Sequence, residues 1–412
     1  MTVSGIQAAS RRHLLRFLAA SPLFPGIPSL SRALAQPADP LIWAPRDTHT
    51  LIASPAEALD VFDFEPVMHA TVPPAHFGYL ATGVDDELTL RANREGFRNF
   101  QLRPRRLIDV SKIDMRVELF GRTYASPIVI SPTSSNKAFH PDGEVAVARA
   151  ARAGDHAAFL STVATTSIED AIAAREGPVF FQLYPTSKWS VAEALAKRAE
   201  HAGSPVIAVT LDVLAAQNWE TLARLRRTDT RNCGDCHGRS LQAYVSRKPN
   251  FDGIDLTGAT FNATALTWDF IKRLRDTVKT RIVLKGILTP EDAKLAVEHG
   301  MDGIIVSNHG GRNEDSNRAT IDILPEVMAA VGDRIPVLID SGFRRGTDIV
   351  KALAMGARAV CVGRPYLWGL GAFGQPGVER VLEILRTETG AVMRQIGAPS
   401  IKDLTPAMVR RA

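Results

Sequence analysis

Eight short runs of mainly apolar, often β-branched residues recur along the chain, and each is followed by a segment with helical periodicity. The runs cover residues 127–131, 157–161, 179–184, 206–212, 282–285, 303–308, 337–340 and 359–363. Runs without apolar–polar alternation are typical of parallel strands that are buried on both faces. Eight strand–helix units in about 250 residues predict an α/β fold of the (β/α)8 TIM-barrel type, with its chemistry at the C-terminal strand ends. A doubly wound open sheet has the same periodicity and remains the alternative.

Helix boundaries within the repeat have clear signals. Thr289 is followed by a proline and two acids, which predicts an N-cap, a first-turn proline and carboxylates that complement the helix dipole. Gly300 and Gly356 occupy positions where glycine typically ends a helix. These signals place helices between the predicted strands.

Two segments depart from the repeat. Residues 213–281 separate the fourth and fifth strands and are too long for one crossover, which predicts a loop or lid insertion over the active site. Residues 36–122 precede the first strand and are predicted to form a helical N-terminal extension that packs on the barrel of residues 123–405.

The positive charge is concentrated at the N-terminus. The chain has a formal net charge of +5, but residues 1–35 contain four arginines and no acid. The remainder is nearly neutral, so nothing there indicates a nucleic-acid partner. The pair Arg11-Arg12, the weakly apolar run 17–30 and the small residues of 33–35 predict a twin-arginine signal and therefore a periplasmic location. An amphipathic helix is the alternative, although three prolines in the run would break it. No run is long enough to predict a transmembrane segment.

Polar residues close the apolar runs, which predicts a shared site at one mouth of the barrel. The residues concerned are Pro132, Thr133, Ser134, Ser161, Gln182, Tyr184, Thr210, Asp212, Lys285, Ser307, His309 and Asp340. Glycine–arginine turns follow the last two strands, at 340–346 and 362–365. Glycines let backbone N–H groups approach a phosphate while arginines supply charge, so these turns predict a phosphate site.

At these positions the chain resembles the FMN-dependent α-hydroxy-acid oxidases and dehydrogenases, which include glycolate oxidase and the lactate and mandelate dehydrogenases. The resemblance is carried by Lys285-Gly286, by the Ser-Asn-His-Gly-Gly-Arg segment 307–312, by the double-arginine turn 340–348 and by Gly363-Arg364-Pro365. It covers residues 60–212 and 265–405. It implies FMN as cofactor and oxidation of a small 2-hydroxy acid to the 2-oxo product. The electrons would pass to a respiratory acceptor or oxygen, and the protein would be a homo-oligomer.

The resemblance also implies residue roles. His309 would be the general base, Asp212 would hold its imidazole, and Arg312 would bind the substrate carboxylate. Tyr79 and Tyr184 would hydrogen-bond the substrate. Lys285 would stabilise negative charge on the reduced flavin. The isoalloxazine and ribityl chain would be lined by Pro132, Thr133, Ser134, Ser161, Gln182, Thr210 and Ser307. The ribityl chain and phosphate would be held by Asp340, Gly342, Arg344, Gly363 and Arg364.

One position departs from the family pattern. Family members carry a second carboxylate-binding arginine after the aspartate of strand four, and the aligned residue here is Trp219. Two interpretations remain open. An arginine of the insertion (Arg224, Arg226 or Arg227) takes its place, or the substrate is a bulkier, aromatic or less anionic hydroxy compound.

The insertion contains the spacing Cys233-x-x-Cys236-His237. The spacing is compatible with a disulfide or structural turn, with covalent attachment of a c-type haem, and with a metal site that uses all three residues.

Two further functions are alternatives to hydroxy-acid oxidation. One is another FMN-barrel oxidoreductase or isomerase, and the other is an exported electron-transfer protein that carries flavin or haem. The 307–312 segment favours the hydroxy-acid enzyme.

Overall fold

The computed structural model describes residues 51–231 and 241–412. Its strands are β1 (Phe100–Leu102), β2 (Val117–Leu119), β3 (Arg122–Tyr124), β4 (Ile128–Ile130), β5 (Ala157–Ser161), β6 (Phe180–Leu183), β7 (Val206–Thr210), β8 (Arg281–Ile287), β9 (Gly303–Val306), β10 (Val337–Ile339), β11 (Ala359–Val362) and β12 (Val409–Arg411). Its helices are α1 (Phe64–Thr71), α2 (Pro74–Ala81), α3 (Leu88–Glu95), α4 (Gly143–Ala153), α5 (Ile168–Arg175), α6 (Trp189–His201), α7 (Glu220–Arg226), α8 (Leu241–Val245), α9 (Trp268–Thr277), α10 (Pro290–Glu298), α11 (Thr320–Val331), α12 (Gly346–Ala354) and α13 (Arg364–Ile396).

Strands β4 to β11 form a closed, entirely parallel barrel in chain order. Closure occurs where β11 pairs with β4, with Val362 opposite Ile130. Each of the eight predicted apolar runs contains or overlaps one barrel strand. The predicted TIM barrel is confirmed, and the doubly wound open sheet is excluded because the barrel has no sheet edge.

Burial on both faces explains why the strand sequences do not alternate. Along β4, Ile128 and Ile130 pack with the helices of the outer layer, whereas Val129 belongs to a separate cluster inside the barrel. The β2–β3 hairpin contributes Leu119 and Tyr124 to the inner cluster. This hairpin fills the end of the barrel opposite to the strand C-termini and leaves only the other mouth open for a site.

The predicted helix signals are confirmed. The Thr289 side chain accepts a hydrogen bond of 3.2 Å from the backbone N–H of Asp292 at the start of α10. Gly300 and Gly356 have φ values of +66° and +109°, a region that glycine enters without the steric cost of a Cβ.

Helices precede the barrel, and a long insertion follows its fourth strand, β7, as the sequence predicts. In the N-terminal part, α1 packs against α13 and α2 packs against α7. Within the insertion, the buried Asn250 donates to the carbonyls of Ser161 and Thr162 at the end of β5, at 3.2 Å each. The insertion is therefore attached directly to the active-site mouth. The division at residues 122 and 405 stays a prediction.

Two predicted features lie outside the described residues. These are the twin-arginine segment 1–35 and the Cys233-x-x-Cys236-His237 motif. Over the residues that the structure describes, none of the helices combines the length and the apolar character that crossing a membrane requires.

Candidate active site

The strand ends surround one cavity with about 1070 Å³ of empty space. Predicted residues that line it are Tyr79, Pro132, Thr133, Ser134, Tyr184, Lys285, His309, Arg312, Asp340, Gly342, Arg344, Gly363 and Arg364. The other five predicted residues lie behind this lining: Ser161, Gln182, Thr210, Asp212 and Ser307. The structure thus gathers the predicted site at one mouth of the barrel.

A histidine–aspartate pair forms the reactive part of the cavity. His309 follows β9 in a left-handed conformation (φ +57°), and its Nδ1 lies 2.9 Å and 3.2 Å from the two carboxylate oxygens of Asp212. A carboxylate accepts, so Nδ1 carries the proton and Nε2 keeps its lone pair. The hydroxyl of Tyr184 lies 3.4 Å from Nε2. The free lone pair therefore faces the tyrosine side of the cavity.

Burial and charge adjust both members of this pair. Burial lowers the pKa of His309 below its ordinary value, and the nearby Lys285 and Arg312 add to this, while Asp212 opposes it. Burial alone would raise the pKa of Asp212, but His309 and Lys285 outweigh that effect and keep its pKa below the usual range. As a result, the imidazole of His309 is neutral and the Asp212 carboxylate beside it is ionised. A general base requires this state.

Arg312 lies between two aromatic rings. Its guanidinium carbon is 4.8 Å from the ring centre of Tyr79 and 4.7 Å from that of Trp219. The indole N–H of Trp219 donates to the backbone carbonyl of Arg312 at 2.9 Å. Cation–π contacts contribute about 0.5–2 kcal/mol each, so the two rings restrict the guanidinium strongly.

The C-terminal end of α2 holds two cavity arginines. Nη1 of Arg312 donates to the carbonyls of Tyr79 (2.6 Å) and Thr82 (3.1 Å). Arg364 donates to the carbonyls of Leu80 (2.9 Å) and Thr82 (3.0 Å). The last carbonyls of a helix have no intrahelical partner and carry partial negative charge, so cations bind there favourably.

Three hydrogen-bonded side chains lie on adjacent strands, behind the floor of the cavity. The Ser161 hydroxyl donates to the Gln182 side-chain oxygen, and the Gln182 amide donates to the Thr210 hydroxyl, both at 2.9 Å. Above them, the Lys285 ammonium lies 3.8 Å from the Asp340 carboxylate, and both side chains are buried. This part of the cavity offers hydrogen-bonding side chains and one positive charge. Both suit the polar edge of a flavin ring.

Two arginines, the buried Arg344 and the partly buried Arg364, form the end of the cavity near β10 and β11. Within the described residues, neither Arg344 nor Arg364 has a carboxylate at salt-bridge distance, although both line the cavity. Burial lowers the pKa of Arg364 to about 9, and burial with the charges of Arg94 and Arg364 lowers that of Arg344 well below its ordinary value. Two neighbouring cations with little exposure and no carboxylate partner favour a bound anion, and a phosphate fits this end of the cavity.

The glycines of this region serve different purposes. A Cβ on Gly363 would meet nothing closer than 3.8 Å, so this residue leaves open space at the start of α13. A Cβ on Gly342 would lie 2.0 Å from the backbone oxygen of Asn93 in α3. Gly342, predicted as a phosphate residue, therefore also permits the close approach of α3 to the barrel. The phosphate-binding glycines, the two arginines and the ring-binding floor together fit FMN.

The insertion contributes residues that the sequence analysis does not identify. Tyr244 and Phe261 line the cavity, and Phe261 packs 4.8 Å from the Tyr184 ring and 5.7 Å from the Tyr244 ring. Burial raises the pKa of Tyr244 well above its ordinary value, so its hydroxyl stays protonated. The insertion has no periodic pattern that could place these aromatic residues at the site.

The three arginines proposed as substitutes for the missing one are not in the cavity. Arg224 is exposed and paired with Glu220 on α7, and Arg226 and Arg227 are also exposed. That interpretation is wrong, because the helix that carries these arginines presents them to solvent.

The barrel and its cofactor cradle together define the class of protein: a (β/α)8 flavoprotein that acts on small molecules. Residues 68–411 match the family described as FMN-dependent dehydrogenase. The chain therefore belongs to the FMN-dependent dehydrogenase family, whose members include the α-hydroxy-acid oxidases and dehydrogenases. The predicted family and the predicted FMN cofactor are confirmed.

Relatives and solved structures agree with this assignment. Glycolate oxidase 1 of Oryza sativa subsp. indica is 41% identical over 367 residues, which is 86% of this chain and 96% of the rice protein. A peroxisomal (S)-2-hydroxyacid oxidase of Arabidopsis thaliana is 39% identical over 358 residues (86% and 97%). A soluble mutant of the membrane-associated (S)-mandelate dehydrogenase from Pseudomonas putida has a TM-score of 0.78 at 34% identity, with coverage of 86% and 99%. A mandelate oxidase mutant with (S)-mandelic acid has a TM-score of 0.76 at 34% identity, with coverage of 86% and 98%.

The comparisons correct the predicted location. Two of the Arabidopsis relatives are named as peroxisomal enzymes, which points to the peroxisome and away from the periplasm. The periplasmic location predicted from residues 1–35 is therefore wrong. It rested on a short basic and apolar pattern alone, outside the family-matched residues.

Proposed function

We propose that this FMN-dependent 2-hydroxy-acid-oxidising enzyme uses His309 as the general base for its substrate. The observation that carries the proposal is the largely buried His309–Asp212 pair, in which the unprotonated Nε2 lies at the cavity, 3.4 Å from the Tyr184 hydroxyl. Bound FMN supplies the acceptor for the two electrons that leave the substrate carbon.

Each residue has a distinct task in this proposal. Nε2 of His309 takes the proton of the substrate, and the adjacent Asp212 carboxylate stabilises the imidazolium that forms. Arg312 binds the substrate carboxylate, and the Tyr79 and Tyr184 hydroxyls hydrogen-bond the substrate oxygens. Lys285 holds a buried positive charge at the floor of the cavity, where negative charge accumulates on reduction of the flavin.

Cofactor binding uses the remaining predicted residues. Arg344 and Arg364 would hold the phosphate, together with the backbone at Gly363, because both are cations with little exposure at one end of the cavity. The hydrogen-bonded Ser161, Gln182 and Thr210 side chains would contribute to binding of the ring. The electron acceptor (a respiratory carrier or oxygen) and the homo-oligomeric state stay predictions.

The test is replacement of His309 by Gln, with His201→Gln as control because His201 is exposed on α6. Flavin absorbance is followed anaerobically after mixing with (S)-mandelate, lactate or glycolate. His309→Gln should retain FMN and slow substrate-driven bleaching by about 10²–10⁴-fold, which is the usual contribution of a general base. The control should behave as wild type.

The competing functions give different results. An electron-transfer protein would show no bleaching with any hydroxy acid, and its redox cycling would not depend on His309. Bleaching of the variant at the wild-type rate would overturn the proposed role of His309.

A further inference from the structure

Trp219 is in contact with the residue that binds the substrate carboxylate in the proposed function. Its ring packs against the Arg312 guanidinium at 4.7 Å, and its indole N–H holds the Arg312 carbonyl at 2.9 Å. It also meets the Tyr79 ring edge-on at 5.8 Å. The Trp219 side chain thus holds both the backbone carbonyl and the guanidinium of Arg312 in place.

The same arrangement leaves Arg312 with one unused end. Nη1 is occupied by the carbonyls of Tyr79 and Thr82, whereas Nη2 is buried and has no hydrogen-bond partner among the described residues. A two-pronged clamp on a carboxylate needs both terminal nitrogens or one of them with Nε. With Nη1 committed to α2, Nη2 is the atom with an unsatisfied demand for an oxygen acceptor.

The cavity wall next to Nη2 of Arg312 contains neutral side chains in place of a second charge. The cavity wall next to Arg312 is formed by Tyr79, Tyr184, Tyr244 and Trp219. The pKa values of Tyr184 and Tyr244 are raised by burial, so both hydroxyls remain neutral donors. A hydroxyl can donate to the oxygen of an amide and to that of a carboxylate, because both are acceptors.

We propose that Trp219 is a positioning and specificity-determining residue that replaces a second cation. Recognition of the acid group then rests on one cation, Arg312, and on tyrosine hydroxyls, so the site accepts neutral 2-hydroxy amides alongside 2-hydroxy acids. This inference rests on the proposed function. Oxidation of the amide breaks the O–H and the carbinol C–H bonds and forms the C=O bond of a 2-oxo amide. Two electrons and one proton would go to FMN, and the second proton goes to His309.

The first experiment measures kcat/KM of the FMN-loaded enzyme for (S)-mandelate and for its primary amide, and likewise for lactate and lactamide. We expect wild type to prefer the acid by no more than about 100-fold, the value of one charge-assisted contact. Trp219→Arg should raise this preference about 10- to 100-fold. Trp219→Phe keeps a ring but loses the indole N–H, so it should lower the preference by raising KM for the acid more than KM for the amide.

Trp189→Phe is the matched control. Trp189 also donates its indole N–H (to Glu193, 2.9 Å) and also has an arginine over its ring (Arg273, 4.1 Å), but it does not line the cavity. This variant should leave both preferences unchanged. Retained FMN absorbance and an unchanged unfolding temperature show that each variant is folded.

A second readout does not depend on turnover. Calorimetric titration of the FMN-loaded proteins with oxalate and oxamate, which differ by one carboxylate-to-amide exchange, gives a ratio of Kd values. Trp219→Arg should shift this ratio toward oxalate about 10-fold or more. A ratio within twofold of wild type in both Trp219 variants, or a wild-type preference for the acid beyond about 10⁴-fold, overturns the inference. If no hydroxy acid bleaches the flavin, the proposed function fails, whereas the oxalate–oxamate ratio still decides the role of Trp219.

Discussion

Replacement of Asp212 by Asn removes a charge beside the reacting imidazole with almost no change in shape. The amide oxygen still accepts from Nδ1 of His309, so the ring stays oriented and only the stabilisation of the imidazolium is lost. Two unit charges about 4 Å apart at an effective dielectric constant of about 20 attract by about 4 kcal/mol. A dielectric constant well below that of bulk water is appropriate because the side chains of His309 and Asp212 are only 20% and 11% exposed. We therefore expect Asp212→Asn to slow flavin reduction about 10³-fold.

The pH dependence of flavin reduction provides a second test of Asp212→Asn, because the direction in which the profile shifts can be predicted. The base acts when neutral, so the rate of flavin reduction rises with pH as His309 loses its proton. Because burial lowers the pKa of His309, this rise lies below the ordinary histidine value of about 6.5. Asp212 raises the pKa of His309, and its removal therefore moves the rise to still lower pH. The variant should combine a lower plateau with an earlier rise.

The assay is anaerobic stopped-flow reduction of the bound flavin between pH 4.5 and 9, at saturating 2-hydroxy acid. Asp170→Asn, at an exposed position of α5, serves as control and should change neither quantity. A plateau within threefold of wild type, or a rise that moves to higher pH, would refute the electrostatic reasoning. FMN content and the unfolding temperature distinguish such a result from damage to the fold.

Three further changes test other parts of the structure. Tyr244→Phe should raise KM for the acid about 3- to 10-fold with a smaller effect on the reduction rate, since one neutral hydrogen bond contributes about 0.5–1.5 kcal/mol; steady-state kinetics measures this. Burial lowers the pKa of His156 to about 4, so the unfolded chain binds a proton first as pH falls. Stability should decrease by about 3 kcal/mol from pH 6.5 to 4, and denaturant unfolding of His156→Gln should lack most of this decrease. Gly342→Ala places a Cβ 2.0 Å from the Asn93 oxygen and should lose FMN and stability. Gly253 also has a positive φ, but a Cβ added there would meet no atom within 4 Å. The unfolding temperature of Gly253→Ala should therefore fall much less.

The sequence predicts the barrel well because its strands are buried on both faces. That environment forces continuous apolar runs, and the termination of each run by polar residues marks the mouth of the barrel. The 307–312 segment and the two glycine–arginine turns bring His309, Arg312 and Arg364 to one cavity, as the structure shows. These predictions depend on local patterns that survive in a single sequence.

The remaining features depend on contacts between distant segments. The stacking of Trp219 on Arg312 joins residues that are far apart in sequence, and no spacing rule indicates it. Tyr244 and Phe261 reach the cavity from an insertion without periodicity. Gly342 resembles a phosphate-binding glycine, but only the coordinates show that it also makes room for Asn93.

The C-terminal carbonyls of α2 anchor both Arg312 and Arg364, and this has a consequence for the architecture as a whole. The arginine proposed to bind the substrate and the arginine proposed to bind the phosphate are anchored by the same helix end, which belongs to the polypeptide ahead of the barrel. A shortened chain that kept every barrel strand would still possess both guanidiniums, but it would lack the α2 carbonyls that orient them. The segment before the barrel therefore helps to build the proposed active site. A smaller or recombined version of this scaffold needs to keep that segment together with the eight strands.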